Sequence, residues 1–543
     1  FRAIQFNALI GTDCRRCRPG ARRIAVGCRA SETCTLSRLR QRPDSQAILT
    51  RYGAQAAATS GGPLDKAKRA DTVAAIFTLT ERFTPMSLPD VLARIDHDLD
   101  AATDRLLDLL RIPSISTDPA FKEDCDRAAD WLVEDLNSIG IKTTKRPTPG
   151  HPMVVGHVDG PADKPHILFY GHYDVQPVDP LNLWHRDPFD PAVEDTAKGR
   201  VIRGRGAADD KGQLMTFVEA LRAWKAVKGD FPCRMTFFFE GEEESGSPSL
   251  VPFMEENAEE LRADYAMICD TGMFQSKVPS IVTMLRGLMG EEVTITGPDL
   301  DLHSGMYGGV SMNPARVLSK VIASLHDDTG RITVPGFYDG VPELPDDIQA
   351  QWQGLAFDHD SFLGDVGLSK PAGEQDRMPI EMIWSRPTCE VNGMWSGYTG
   401  AGFKTVLPSQ AHAKISFRLV GTQDPHVIRE SFRKMVTEMM PEDCEATFHA
   451  HGSSQGSVFE TTAPAFEDAR KALTDEWNVP AAYVGCGGSI PIAGHFQKIL
   501  DTTPVLIGFG KDDDAIHSPN EKYDLESFHK GIRSWARILD AMT

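Results

Sequence analysis

The sequence has no long uninterrupted run of apolar residues, since no stretch reaches the roughly 18 residues that a membrane-spanning helix needs. Basic residues are outnumbered, with 57 Lys and Arg against 77 Asp and Glu and a formal net charge of -20. Nucleic-acid binding requires clustered Lys and Arg, so this balance argues against a nucleic-acid partner. Cysteines are few and irregularly spaced, ten in 543 residues, which indicates reduced thiols rather than a disulfide framework. These shortages predict a soluble, cytoplasmic protein with no membrane or nucleic-acid partner.

The first 85 residues differ in composition from the rest. They hold 15 Lys and Arg against 6 Asp and Glu, whereas residues 86–543 hold 42 against 71. No apolar period that would predict a helix or a strand runs through them. We therefore expect residues 1–85 to be a disordered or non-native N-terminal extension, with Met86 starting the functional protein. An organelle transit peptide, Arg-rich and poor in acids, is the alternative.

Helical patterns and short apolar runs alternate along the remaining chain. Apolar residues recur near the helical period from Leu88 to Leu110. Four short apolar runs indicate buried strands: Ile167–Tyr170, Met235–Phe239, Tyr265–Cys269 and Val505–Phe509. Strands separated by helices predict an α/β fold built on a mixed, mostly parallel sheet.

Another pattern occupies residues 287–456. Glu291–Thr296 and Ala413–Leu419 alternate as half-buried strands do, and a helical pattern follows each of them. Between them, Asp327–Arg386 is rich in Pro, Gly and Asp and predicts a loop-dominated insertion. We expect an inserted α+β, ferredoxin-like lid and dimerisation domain over residues 287–456. The catalytic domain would then consist of residues 86–286 and 457–543.

Histidines and acidic residues follow the predicted strands. His172 and Asp174, the run Glu242 to Glu244, and Asp270 come after the first three runs, and His517 comes eight residues after the last one, with Asp209 in a Gly-rich turn before a helix. Side chains at the carboxyl ends of neighbouring parallel strands converge in one crevice. A single such histidine or acidic run is more often structural or solvated. Imidazoles together with carboxylates are, however, the ligands that divalent cations take, so the combination predicts a metal site.

Six segments carry a resemblance to a known family. In chain order they are Gly171–Asp174, Arg203–Gly212, Glu240–Ser247, Leu302–Gly305, Gly487–Pro491 and His517–Glu521. In these segments the chain resembles the M20 metallopeptidases and, among them, the carnosinase-like cytosolic dipeptidases. The resemblance implies a metallopeptidase that hydrolyses a small amide bond, foremost that of a dipeptide with a free C-terminal carboxylate.

The resemblance further implies two divalent metal ions per subunit. One ion would be held by His172, Asp209 and Asp270, and the other by Asp209, Glu244 and His517. Asp209 would bridge the two ions, which a shared carboxylate can hold a few Å apart. We expect zinc, with manganese or cobalt as alternatives. The peptide bond that follows Asp209 is expected to be cis.

Catalytic roles follow from the same resemblance. Glu243 would be the general base that takes a proton from a metal-bridged water and passes it to the leaving amine. Asp174 would accept the free N–H of His172 and thereby fix the tautomer of the ring. The third acid of the run, Glu242, is expected to be solvated.

Further residues would contact the substrate. Arg418 and Ser489 would hold its carboxylate, a task that suits the fork of an Arg guanidinium. His303 and Thr405 would be delivered from a partner subunit, His303 to stabilise the tetrahedral oxyanion, which implies a homodimer. His451 lies near the place of another substrate histidine, although the sequence around it departs from the family pattern.

Three other functions stay open at this point. An N-acyl amino acid deacylase would use the same metals and base with a different pocket for the amine side. A catalytically dead relative that only binds metal or carboxylate would lack the base or a ligand, and none is missing. A serine hydrolase centred on Ser489 would need a G-x-S-x-G elbow, which Gly487–Pro491 does not form.

Overall fold

The structure, a computed structural model, describes residues 87–364, 366–488 and 490–543. The expectations for residues 1–85, Met86 and Ser489 lie outside these described residues. Within the described ranges, no helix combines the length and the apolar character that crossing a membrane would require.

Helices and strands are numbered in chain order. The helices are α1 Leu88–Leu110, α2 Lys122–Ser138, α3 Lys211–Lys228, α4 Leu250–Glu256, α5 Ala258–Leu261, α6 Ser304–Tyr307, α7 Pro314–Ala323, α8 Asp346–Gly354, α9 His359–Gly364, α10 Pro379–Trp384, α11 Pro425–Glu438, α12 Pro464–Trp477, α13 Pro491–Leu500 and α14 Leu525–Met542. The strands are β1 Lys142–Arg146, β2 Met153–Val158, β3 His166–His172, β4 Ala192–Thr196, β5 Gly199–Arg203, β6 Arg234–Glu240, β7 Tyr265–Ile268, β8 Ser280–Leu285, β9 Gly287–Thr296, β10 Leu302–His303, β11 Thr388–Ser396, β12 Val406–Leu407, β13 Gln410–Leu419, β14 Glu445–Ser454, β15 Ser457–Val458, β16 Ala482–Cys486, β17 Thr503–Gly508 and β18 Lys522–Asp524.

Local signals account for the ends of the long helices. Helix α1 begins at a capping box, in which the Ser87 N–H donates to the Asp90 carboxylate at 2.7 Å. Helix α3 ends at Gly229, whose φ of +82° lies in the left-handed region that favours glycine.

The first sheet has the strand order β1-β2-β6-β3-β7-β17-β8-β15, with β16 beside β8. The four neighbours β6, β3, β7 and β17 run parallel, whereas β2 and β8 pair with this group antiparallel. The four apolar runs identified in the sequence lie on these four parallel strands, two of them ending one residue beyond the strand, at Cys269 and Phe509. This sheet confirms the prediction of a mixed α/β fold. The strands could be recognised in the sequence because strands covered on both faces are apolar at nearly every position.

Helices cover both faces of this sheet. On one face, Phe169 of β3 stacks on Phe217 of α3 with ring centroids 3.6 Å apart and meets Trp535 of α14 edge-on. On the other face, Tyr170 packs against Phe496 of α13. The carboxyl ends of the parallel strands are thereby held in place by a rigid core.

The second sheet has the order β11-β13-β9-β14 and is antiparallel throughout. Helices α7 and α11 contribute Leu318 and Phe432 to a separate core against one face. The chain order β9-α7-β11-β13-α11-β14 with this pairing is the ferredoxin-like arrangement, as predicted. Alternate residues of β9 and β13 remain more accessible on the opposite face.

The chain passes between the two sheets at Arg286 and again at residues 455–456. Between these crossings, Asp327–Arg386 is mostly loop, as expected, but three short helices, α8, α9 and α10, interrupt it. Trp352 of α8 is buried with the first core, and its Nε1 donates to the Tyr483 carbonyl of β16 at 2.9 Å. Helix α8, which was expected in the lid, thus packs with the first sheet, because Trp352 is buried there and bonded to Tyr483.

Candidate metal centre

His172 ends β3 and is fully buried. Its Nε2 lies 3.0 Å from Oδ1 of Asp209, while its Nδ1 lies 3.2 Å from the Asp174 carbonyl and 3.3 Å from Asp174 Oδ1. Burial disfavours the imidazolium, but the hydrogen bonds to Asp174 and Asp209 outweigh it and raise the pKa of His172 well above its ordinary value. The ring therefore lies between two acids, Asp174 and Asp209.

Asp209 lies between two histidines. Its Oδ1 faces His172, and its Oδ2 lies 3.0 Å from Nε2 of His517. Burial opposes ionisation of this carboxyl, but the two histidines hold the pKa of Asp209 below its ordinary value. The bond between Asp209 and Asp210 is cis, and α3 begins at the next residue. One carboxylate thus presents a separate oxygen to each half of the site.

Two groups of potential ligands share Asp209. In each group the ligand atoms lie within 4.8 Å of one another: His172, Asp209 and Asp270 in the first, and Asp209, Glu244 and His517 in the second. Burial and the carboxylates of Asp210 and Asp209 raise the pKa of Asp270 well above its ordinary value. Crowded acids of this kind, combined with two imidazoles, fit a pair of divalent cations, which would neutralise their repulsion.

Glu243 and Glu244 occupy a short 3-10 turn directly after β6. Their backbone N–H groups donate to the Asp174 carboxylate at 3.2 and 3.0 Å. Glu243 belongs to neither ligand group, and burial, with neighbouring Asp174 and Asp209, raises its pKa to about 7. Asp174 therefore positions three neighbours at once, His172, Glu243 and Glu244.

Glu242 differs from its expected role. It is buried rather than solvated, and its carboxylate accepts the His151 N–H at 2.8 Å and the Ser249 N–H at 3.0 Å. These bonds join the turn to two other segments, and such long-range partners cannot be recognised from an acidic run.

Two residues without a predicted role, Gln176 and Glu521, also make hydrogen bonds at the site. Gln176 donates from Nε2 to Glu244 Oε2 at 2.6 Å, and the buried carboxylate of Glu521 contacts the loop that carries Asp209. Both residues stand within four positions of a predicted ligand, Gln176 after His172 and Glu521 after His517. Their closeness in sequence to the predicted ligands was the signal that could have identified them.

His303 lies on a short ribbon formed by β10 and β12, opposite Val406, and Thr405 directly precedes β12. Both are exposed, the His303 Nδ1 accepts the Gly305 N–H at 3.0 Å, and the Thr405 carbonyl accepts the Ser304 N–H at 3.1 Å. Neither residue is a member of the ligand groups found within the described part of this chain. The structure therefore places both residues near this ribbon and on the surface.

Arg418 of β13 lies close to a second arginine that the sequence analysis missed. Burial and the positive charge of Arg418 lower the pKa of Arg286 to about 10. Arg286 donates from Nε to the Gly487 carbonyl at 3.0 Å, in the loop that precedes Ser489. His451 lies exposed on β14, with Nε2 3.6 Å from Glu292 Oε2. Arg418 is thus brought toward the Gly-rich loop, whereas His451 lies on the accessible face of the second sheet.

Comparisons with known proteins match most of this chain. Residues 168–541 match the family model described as peptidase family M20/M25/M40. The Cys-Gly metallodipeptidase dug1 of Schizosaccharomyces pombe is 31% identical over 463 residues, covering 82% of this chain and 97% of that protein. The Beta-Ala-His dipeptidase of Homo sapiens is 27% identical over 500 residues, covering 86% and 96%. The solved structure of the di-peptidase Dug1p from Saccharomyces cerevisiae matches with a TM-score of 0.69 and 28% identity, covering 84% of this chain and 99% of that one.

Proposed function

The chain belongs to peptidase family M20/M25/M40 and is a metal-dependent dipeptidase, and we propose that Glu243 is its general base beside a two-metal site. The observation that carries this proposal is the placement of Asp209, with one histidine against each of its carboxylate oxygens. Asp270 and Glu244 complete the two ligand groups. The resemblance seen in the sequence is confirmed by the family match and by the dipeptidase relatives.

The metal ions would be zinc, with manganese or cobalt as alternatives. Bound there, two divalent ions would polarise the scissile carbonyl and lower the pKa of water. His172, Asp209 and Asp270 would hold one ion, and Asp209, Glu244 and His517 the other. Borderline cations take this mixture of imidazole and carboxylate, which supports zinc over calcium or magnesium.

Glu243 accepts the proton of the attacking water and later delivers it to the leaving amine. Its backbone is anchored by Asp174, so its side chain starts from a fixed turn. Arg418 and Ser489 hold the C-terminal carboxylate of the dipeptide, with His451 as a further substrate contact. Arg418 lies near enough to Arg286 for its positive charge to help lower the pKa of Arg286, which supports this assignment, because neighbouring guanidinium groups attract an anion.

The active form is a homodimer in which His303 and Thr405 complete the partner's site. The surroundings of their ribbon support this proposal, since they expose large apolar side chains that a second copy would cover: Met306, Tyr307, Val310 and Phe403. The proposed lid and dimerisation domain is the inserted range 287–456, of which α8 packs with the first sheet, and the proposed catalytic domain comprises residues 86–286 and 457–543.

The cytoplasm is the proposed location. It is supported by the cysteines Cys125, Cys233, Cys269, Cys389, Cys444 and Cys486, which are all free thiols in the described part of the chain.

Metal removal followed by a substrate panel tests the function. Chelation should abolish hydrolysis, and zinc, manganese or cobalt should restore it. The panel should include Cys-Gly and β-Ala-His, the dipeptides named for the relatives, together with N-acyl amino acids. The relatives do not favour the deacylase alternative, so dipeptides should be cleaved faster. Full activity of metal-free protein would contradict the proposal, and preference for N-acyl amino acids would reassign the substrate.

A further inference from the structure

Glu521 is a fully buried carboxylate that none of the roles above uses. Its Oε2 accepts Nη1 of Arg205 at 2.6 Å and the Gly206 N–H at 3.0 Å. Its Oε1 accepts the Ala208 N–H at 2.9 Å and the Asp209 N–H at 3.2 Å. All four bonds go to one short loop, 205–209, which ends at the carboxylate shared by the two ligand groups.

The segment that carries Glu521 also carries His517, four residues earlier. The His517 side chain is 53% exposed and its backbone has a φ of +60°, so it stands on an irregular surface loop rather than on a strand. A second bond fastens this segment to the Asp209 loop, since the Gly204 N–H donates to the Glu521 carbonyl at 3.1 Å. Glu521 therefore links the segment that carries His517 directly to the loop that carries Asp209.

The other ligand group is held differently. His172 ends β3 and Asp270 follows β7 by two residues, and these strands are parallel neighbours with Tyr170 opposite Ile268. Their mutual position is fixed by the hydrogen bonds of the central sheet, which owe nothing to Glu521. The two groups share Asp209 but differ in what supports their remaining ligands.

We propose that Glu521 is a positioning residue that keeps Asp209 and His517 in register, and so sets the metal affinity of the group Asp209, Glu244 and His517. The inference rests on the proposed two-metal site. Partners that orient metal ligands commonly contribute 10- to 100-fold in affinity. Here the carboxylate also satisfies three backbone N–H groups and a buried guanidinium, which an amide in its place could satisfy only in part.

The test is a zinc titration of metal-free Glu521→Gln, followed by calorimetry and without substrate. We expect the dissociation constant of one ion to rise by about 10- to 100-fold while that of the other changes little. Unchanged affinities, or an equal loss for both ions, would overturn the inference. Wild type must bind two ions in the same titration. If it does not, the proposed two-metal site itself fails, which separates that failure from failure of the role of Glu521.

A matched control is available in the same domain. Glu476 is also a buried carboxylate, paired with Arg533 and Arg537 at 2.6 Å each. Glu476→Gln should lower the melting temperature without changing either metal affinity; a selective loss there too would overturn the assignment to Glu521. Should Glu521→Gln not fold, Glu521→Asp keeps the charge but shortens the reach. A smaller loss confined to one ion would support the inference, and unchanged binding would overturn it.

Discussion

Replacing Glu243 with Gln separates proton transfer from every other property of the site. The substitution keeps the shape of the side chain, and the backbone N–H of residue 243 can still donate to Asp174. Glu243 is outside both ligand groups, so metal content should stay at two ions per subunit. Only the ability to accept a proton is removed.

The size of the two expected effects follows from the chemistry and from the burial of Glu243. Loss of a general base lowers kcat by about 10²- to 10⁴-fold, or about 3–5 kcal/mol of barrier. The stability of the metal-free protein, in contrast to kcat, should increase. Burial raises the pKa of Glu243 to about 7 in the metal-free protein. A carboxyl whose pKa is higher in the folded than in the unfolded protein lowers the free energy of unfolding once the pH rises above the unfolded-state pKa. Metal-free Glu243→Gln should therefore be more stable than the metal-free wild type at pH 8, by at most about 3 kcal/mol.

The neighbouring Glu242 provides the control. Its carboxylate accepts two backbone N–H bonds, so Glu242→Gln should destabilise the protein by about 1–3 kcal/mol while the base remains in place. The assays are steady-state kinetics, metal analysis and urea unfolding of both variants with and without metal. Near wild-type turnover of Glu243→Gln would refute its role as base. Loss of bound metal together with activity would show that the residue supports the site rather than the proton transfer.

Three further outcomes are expected. Mixing the inactive variants His303→Ala and Glu243→Gln should restore about a quarter of wild-type activity, because about half of the dimers would hold one complete site. Subunit exchange without recovery would contradict the shared site. Metal ions at about 100 times their dissociation constant should stabilise the fold by about 2.7 kcal/mol per bound ion, or about 5 kcal/mol for two, and equal melting temperatures with and without metal would contradict binding to the folded state. Burial lowers the pKa of His166 to about 4. As the pH falls, His166 is protonated in the unfolded chain before it is protonated in the folded protein. The free energy of unfolding should therefore fall by about 2 kcal/mol between pH 6.5 and 5, and a fall of the same size in His166→Gln would show that His166 is not the cause.

Features with a local signature could be predicted from the sequence. The four central strands are buried on both faces, so they stand out as apolar runs, and the polar residues directly after them had to share one edge of the sheet. Helix α1 is marked by its apolar period and by its capping box. These features depend on neighbours a few residues apart. They were enough to predict the fold class and to predict that the proposed ligands come together. Their division into two metal-ligand sets came from the resemblance to the M20 family.

What depends on partners far apart in the chain was decided only by the tertiary structure. The acidic run did not distinguish the buried Glu242 from a solvated acid, because its donors lie on other segments. The composition of Asp327–Arg386 did not reveal that Trp352 bonds to Tyr483 in the first sheet. Arg205 and Glu521 are 316 residues apart, and only the folded chain brings them to 2.6 Å. Periodicity records which face of an element is buried, but the partner of a buried charge is chosen by packing, which no local pattern encodes.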